Sequence, residues 1–239
     1  MIAKPFKFKQ FTVAQDKCAM KIGTDAVLLG SWTQLNSPYS VLDIGTGTGI
    51  IALQIAQRSF AENIDAIEIE ANAFEQAVEN FEASDWSDRL FCYHASLQDF
   101  VDEIDDKYDL IVSNPPFYTS TYKKEEIEAK RAMARHSESL PYGFLLNSTE
   151  KMLSENGSCA FIIPFEEEEQ FLKKASENKL FPFRISRVRG TEKSIIKRSL
   201  LQLSFKEIII EIDELIIEIE RHKYTQEYIN LTQDFYLKM

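Results

Sequence analysis

Cysteine is scarce: Cys18, Cys92 and Cys159 are the three that 239 residues contain. They lie far apart, are odd in number and never form C-x-x-C. That pattern argues against a disulfide framework and against a zinc site, and it fits a reducing compartment. Long apolar runs are missing too, since no uncharged stretch approaches the ~18–20 residues needed to span a bilayer. The opening MIAKPFKFKQF has neither an apolar core nor a small-residue cleavage site, so no secretion signal is expected. Positive charge is in deficit, with 27 Lys and Arg against 38 Asp and Glu for a net charge of −11, which argues against indiscriminate nucleic-acid binding. Internal repeats and low-complexity linkers are also absent, and a single domain is expected. What remains is a chain with 44% hydrophobic and 12% aromatic residues, too apolar for disorder and long enough to bury a full core.

The charge is segregated. Lys4, Lys7, Lys9, Lys17 and Lys21 face a single acid, Asp16, in residues 1–23, and Arg184, Arg187, Arg189, Lys193, Lys197 and Arg198 face Glu192 in residues 184–198. Acids gather at 99–109, 166–169 and 207–220. This is compatible with one basic face on an acidic body, and equally with unrelated solvated faces.

From Ser40 onward β-rich runs alternate with helical ones. Strands are expected at 41–44, 64–69, 90–94, 108–113 and 158–163. Helices are expected at 50–59, 71–84, 145–153 (stopping near Asn156-Gly157) and 166–180. The fourth strand is closed by Pro115 and Pro116, which have no ladder N–H to give. Such alternation implies a mostly parallel sheet with helices on both faces. Residues 181–189 and 199–210 are extended with no helix between them and should form an antiparallel hairpin at the sheet edge, with 215–219 one more short strand. Residues 1–35 fall outside the alternation and read as an N-terminal segment, leaving 36–239 as the main unit.

Two strand ends carry the chemistry. The first strand runs into Asp43-x-Gly45-x-Gly47-x-Gly49, and ligands of open α/β sheets bind beyond the carboxyl ends of strands. The dinucleotide fingerprint needs a glycine where Ile50 stands. Asp43 would repel a pyrophosphate and welcome a cation, while Glu68 at the end of the next strand is placed for ribose hydroxyls. A cationic nucleoside without phosphate, S-adenosylmethionine, suits this set. At the end of the fourth strand stands Ser113-Asn114-Pro115-Pro116-Phe117. The nitrogen lone pair of a planar exocyclic amine is delocalised into its ring. An Asn114 side-chain oxygen and a Pro115 carbonyl, each accepting one N–H, would localise that pair toward a methyl donor, the prolines holding the carbonyl rigid. Phe117 offers a face for stacking a base. No Ser/His/Asp triad and no metal is called for.

The ordered pair Asp43-x-Gly45-x-Gly47-x-Gly49 and Asn114-Pro115-Pro116-Phe117 resembles the class I S-adenosylmethionine-dependent methyltransferases of the amino-methylating type. Lys21-Ile22-Gly23-Thr24-Asp25, Ala134-Arg135-His136, Lys197-Arg198-Ser199 and the C-terminal Tyr224-Thr225 and Asp234-Phe235-Tyr236 resemble, more narrowly, the bacterial tRNA valine adenine-N6 methyltransferases. The resemblance implies a Rossmann-like α/β fold with a seven-stranded sheet. It implies S-adenosylmethionine as cofactor and, as substrate, the tRNA adenine immediately 3′ of the anticodon. It further implies a monomeric enzyme of the cytoplasm that needs neither membrane nor metal. Residues 1–35 would fold over the cofactor, with Lys21, Gly23 and Thr24 touching it alongside Asp43, Gly45, Gly47 and Glu68. Where the family has an acid–apolar pair against the cofactor adenine, this chain has Ser96-Leu97, with Asp99 the nearest acid. Asn114 to Phe117 would hold the base. Lys123, Lys124, Arg135 and His136 in a loop, with Arg187, Arg189, Lys193, Lys197 and Arg198, are candidates for RNA contacts, and His136 serves equally well as a capping or core histidine. The C-terminal stretch reads as a segment packed onto the domain. Relatives with this motif also methylate guanine N2 in ribosomal RNA or a glutamine amide in proteins, and a non-catalytic cofactor-binding scaffold is the reading outside enzymes.

Overall fold

The computed structural model describes residues 4–116 and 140–238. After a two-strand ribbon, β1 (Phe6–Lys7) and β2 (Thr12–Val13), come α1 (Thr24–Trp32), β3 (Ser40–Ile44), α2 (Ile50–Arg58), β4 (Asn63–Glu68), α3 (Ala71–Glu82), β5 (Leu90–His94), α4 (Leu97–Glu103) and β6 (Tyr108–Ser113). They are followed by α5 (Tyr142–Met152), β7 (Leu153–Pro164), a 3-10 turn (Phe165–Glu167), α6 (Glu168–Glu177), β8 (Phe181–Thr191), β9 (Ile196–Ser204), β10 (Glu211–Glu220), β11 (Lys223–Tyr224) and α7 (Gln226–Thr232).

Nine strands form one sheet in the order β11-β10-β8-β9-β7-β6-β3-β4-β5. β3 to β7 are mutually parallel, β9 runs against both β7 and β8, and β10 returns parallel to β8. Successive strand residues point to opposite faces, and the core divides accordingly. Val41, Ile64, Leu110, Val112, Ala160 and Ile162 pack under α1 and α2. Leu42, Ile44, Ile67, Ile111, Phe161 and Ile163 pack under α4, α5 and α6. The class is the α/β, helix-covered, mostly parallel sheet expected from the alternation.

Three details differ from the sequence expectation. The sheet has nine strands rather than seven, and the β8–β9 hairpin is not its edge, because β10 pairs with β8 from Glu211↔Arg184 to Glu218↔Thr191. The alternating acids of β10 meet the arginines of β8, with Glu214 Oε2 2.5 Å from Arg189 Nη2, so charge and pattern together extend the sheet. β9 ends at Ser204, leaving 205–210 as a connection. Gly157 does not stop a helix: β7 already begins at Leu153, and pairing with β6 shifts register between Tyr108 and Leu110. A Cβ at Gly157 would stand 3.0 Å from the Asp109 carbonyl oxygen, the close backbone approach a bulge imposes.

α1 is buried from Ala26 to Trp32 and lies against α2, where Gly30 faces Gln54. The ribbon β1–β2 joins the C-terminal segment through the Phe8↔Tyr236 bridge and the Lys9 amide donating to the Phe235 carbonyl at 2.8 Å. Phe6, Phe8 and Tyr236 pack there as an aromatic group.

Candidate active site

In the β3–β6 pairing Ile44 stands opposite Ser113. Adjacent strands lie about 4.8 Å apart, so Gly45 and Asn114 leave the sheet side by side. Ser113 Oγ ties the two tips by donating to the Ile44 carbonyl at 2.8 Å. β4 ends on the same rim with Glu68, and the β8–β9 turn reaches it too, since Pro164 at the end of β7 pairs with Arg198.

The loop from Gly45 to Gly49 is left-handed at three glycines, with φ of 71°, 58° and 80°. A Cβ on Gly45 or Gly47 would meet nothing within 4 Å, so both face open space, whereas on Gly49 it would lie 2.5 Å from Phe81 Cε1. The first two leave room for a ligand and the third for a ring of the core. The loop is pinned by Gly45 and Thr46 amides donating to the Ile67 carbonyl at 2.9 and 3.1 Å.

Glu68 accepts the Gly47 amide at 2.9 Å on Oε2 and the Glu70 amide at 2.9 Å on Oε1. A carboxylate has about four lone-pair sites, so capacity remains for hydroxyls. Asp43 faces inward and is fully buried; its Oδ2 accepts the Thr46 hydroxyl at 2.5 Å. Burial pushes its carboxyl up to about 7, against the pull of hydrogen bonds from Thr46 and the Ala52 amide. Asp43 thus braces the glycine loop from its buried side.

Asn114 Oδ1 is buried and has no hydrogen-bond partner among the described residues. Pro115 is buried beside it and Pro116 is exposed. Phe117, Lys123, Lys124, Arg135 and His136 lie outside the described residues.

Lys21 Nζ donates to the carbonyls of Gln15 and Cys18 at 2.6 and 2.7 Å and so closes its own segment. Gly23 caps α1 and Thr24 starts it, both exposed. Ser96 caps α4, its Oγ accepting the Asp99 amide at 3.1 Å and donating to Asp99 Oδ2 at 2.6 Å, and Leu97 is buried. Of the basic candidates, Lys197 and Lys193 are exposed. Arg187 pairs with Glu168 at 2.7 Å, Arg189 with Glu214, and Arg198 with Asp25 at 2.8 Å. Those three guanidiniums already serve carboxylates of the fold.

Two features escaped the sequence reading. Glu168 is buried and gathers both Arg187 and the Ser199 hydroxyl at the end of β7. Asn80 on α3 bonds both Ala14 and Thr48. Its signal was available as a polar residue on the stripe that α3 buries, Ala73, Gln76, Ala77, Asn80 and Phe81.

A family model, the methyltransferase small domain, matches residues 18–143. A protein of Flavobacterium johnsoniae named tRNA1(Val) (adenine(37)-N6)-methyltransferase is 58% identical over 98% of this chain and 100% of its own. One of the same name from Trichodesmium erythraeum is 45% identical over 98% of each. Among solved structures, a protein described as a predicted O-methyltransferase from Agrobacterium tumefaciens superposes with a TM-score of 0.68 at 16% identity, over 88% of this chain and 96% of that one, a likeness of fold alone. The chain belongs to the methyltransferase small-domain family, in the branch of the bacterial tRNA valine adenine-N6 methyltransferases.

Proposed function

We propose that the protein is an S-adenosylmethionine-dependent methyltransferase that places a methyl group on N6 of a tRNA adenine, the one immediately 3′ of the anticodon in tRNA valine. The observation that carries the reading is Asn114 Oδ1, a buried acceptor without a partner among the described residues, beside the open glycine loop. Buried polar atoms are nearly always paired in proteins, and an exocyclic amine supplies the missing donor. The same features fit the cofactor: space over Gly45 and Gly47, and a Glu68 carboxylate with accepting capacity left for ribose hydroxyls.

The cofactor supplies an electrophilic methyl group, and the protein's own contribution is placement. With one N–H on Asn114 Oδ1 and the other on the Pro115 carbonyl, the nitrogen lone pair turns out of conjugation toward the methyl. The Pro115-Pro116 pair fixes that carbonyl, so little rearrangement remains for the reaction. The extra proton becomes acidic only once nitrogen is alkylated and leaves to water.

In this reading Lys21, Gly23 and Thr24 belong to a segment, residues 1–35, that covers the cofactor, Ser96 and Leu97 border its adenine, and Phe117 stacks the target base. Lys123, Lys124, Arg135, His136, Lys193, Lys197 and the paired arginines 187, 189 and 198 line the path of the RNA, phosphate contacts positioning the tRNA while shape and the extruded base specify it. We further propose that it works as a monomer in the cytoplasm. Among the described residues no helix is long and apolar enough to cross a membrane.

Purified protein incubated with S-adenosylmethionine and unmodified tRNA valine should yield N6-methyladenosine in digested tRNA by mass spectrometry. N2-methylguanosine in its place, or methylated glutamine in added protein with none in tRNA, would overturn the substrate.

A further inference from the structure

Asn80 is 3% exposed and spends its whole carboxamide on two segments that are distant in sequence. Its Oδ1 accepts the Ala14 amide at 2.8 Å, and its Nδ2 donates to the Ala14 carbonyl at 2.9 Å and to the Thr48 carbonyl at 2.8 Å. The pair of bonds to Ala14 takes both backbone groups of one residue, as a strand partner would. The third bond holds the peptide between Gly47 and Gly49, where two left-handed glycines leave the backbone soft.

The segment from Ala14 to Ile22 is closed on itself. Gln15 Oε1 accepts the Ile22 amide at 3.0 Å, and Lys21 Nζ spans the Gln15 and Cys18 carbonyls. It therefore moves as a unit, and α3 anchors it at Asn80 and at Gln76, whose Oε1 accepts the Lys17 amide at 3.0 Å. Within the strap, burial raises the Cys18 thiol to about 11, and the negative charge of Glu68 raises it further.

We propose that Asn80 is a positioning residue that latches the 14–22 segment to the glycine loop, so that closing this strap and shaping the loop for the cofactor are one event. The proposal rests on reading residues 45–49 as the cofactor loop. A loop and strap ordered before binding cost the ligand less affinity than ones that must be ordered by it. Loosening Asn80 should therefore weaken cofactor binding and leave the chemical step alone.

The test compares full-length wild type, Asn80→Ala, Asn80→Asp and Gln76→Ala. The measurements are calorimetric binding of S-adenosylhomocysteine, turnover at saturating cofactor, and hydrogen exchange across residues 14–22. Asn80→Ala should raise Kd about tenfold or more while kcat stays within about twofold, with faster exchange in the strap. Asn80→Asp, which keeps the acceptor and loses both donors, should show the same Kd loss and stands in if the alanine variant folds poorly. Gln76→Ala removes one of the strap's anchors on α3, the bond to the Lys17 amide, while leaving Asn80 and its bond to Thr48 in place, and should change Kd less than about threefold. An unchanged Kd in both Asn80 variants, a fall in kcat with Kd intact, or an equal loss in Gln76→Ala would overturn the proposal alone. Failure of wild type to bind S-adenosylhomocysteine would overturn the reading of the loop and the proposal with it.

Discussion

Leaving a buried acceptor without a donor costs about 1–3 kcal/mol, and Asn114 Oδ1 has no donor among the described residues. In the proposed reading an incoming amine supplies that donor, so the residue favours a bound N–H. Asp43 is a second residue held away from its ordinary state. In the unfolded chain its carboxyl ionises near 3.8; in the fold, burial raises it to about 7. The folded state thus holds the proton across that window, stability falls as pH rises from about 4 to 7, and the loss is complete above it. Asp43→Asn should remove this slope, so that unfolding free energies at pH 5 and pH 8 differ by about 1–3 kcal/mol less than in wild type. Chemical denaturation at the two pH values checks it; an unaltered slope would place the titration elsewhere. Asp43, Glu68, the glycines and Asn114 were legible in the sequence because their chemistry demands residue types at set spacings. Asn80 was legible only as a polar residue on the buried stripe of α3; its partners were not, because the groups it bonds on Ala14 and Thr48 are backbone groups that no side-chain pattern advertises.

Elements show the same division. Gly47 and Gly49 look alike in sequence and are both left-handed, yet their surroundings differ. Gly49→Ala drives a Cβ to 2.5 Å from Phe81 Cε1 and should lower stability by about 1–3 kcal/mol, read as a drop in Tm. Gly47→Ala meets open space, so beyond about 1–2 kcal/mol of backbone strain its mark should be weaker cofactor binding, because the methyl enters ligand space. Equal effects of the two on Tm and Kd would contradict the assignment. On the β8–β9 hairpin, exposed Lys197 and ion-paired Arg187 should also separate. Lys197→Ala should reduce the salt dependence of tRNA binding by about one in log–log slope. Arg187→Ala, which strips Glu168 of its guanidinium, should cost about 1–3 kcal/mol of stability. Strand–helix alternation made β3 to β7 readable, and the central β3 and β6 are near-continuous apolar runs. The extent of β10 was hidden because its exposed Glu211–Glu214 half resembles a solvated acidic stretch until the arginines of β8 are seen beside it.

At the scale of the whole molecule, a chain of net charge −11 that acts on tRNA has to distribute its charge. β10 neutralises part of β8, and Asp25 and Glu168 engage Arg198 and Arg187. Exposed Lys193 and Lys197 stand at the turn of the hairpin, on the rim where the tips of β3 and β6 open. The parallel register that sets Ile44 opposite Ser113 brings the glycine loop and Asn114 together, and the proposed activity rests on that juxtaposition. Single-turnover methyl transfer by Asn114→Ala, with calorimetric cofactor binding on the same preparation, tests it most directly. A rate about 10²–10³ slower, with Kd changed less than about threefold, is the predicted result. A rate equal to wild type, or cofactor binding lost in step with turnover, would contradict it.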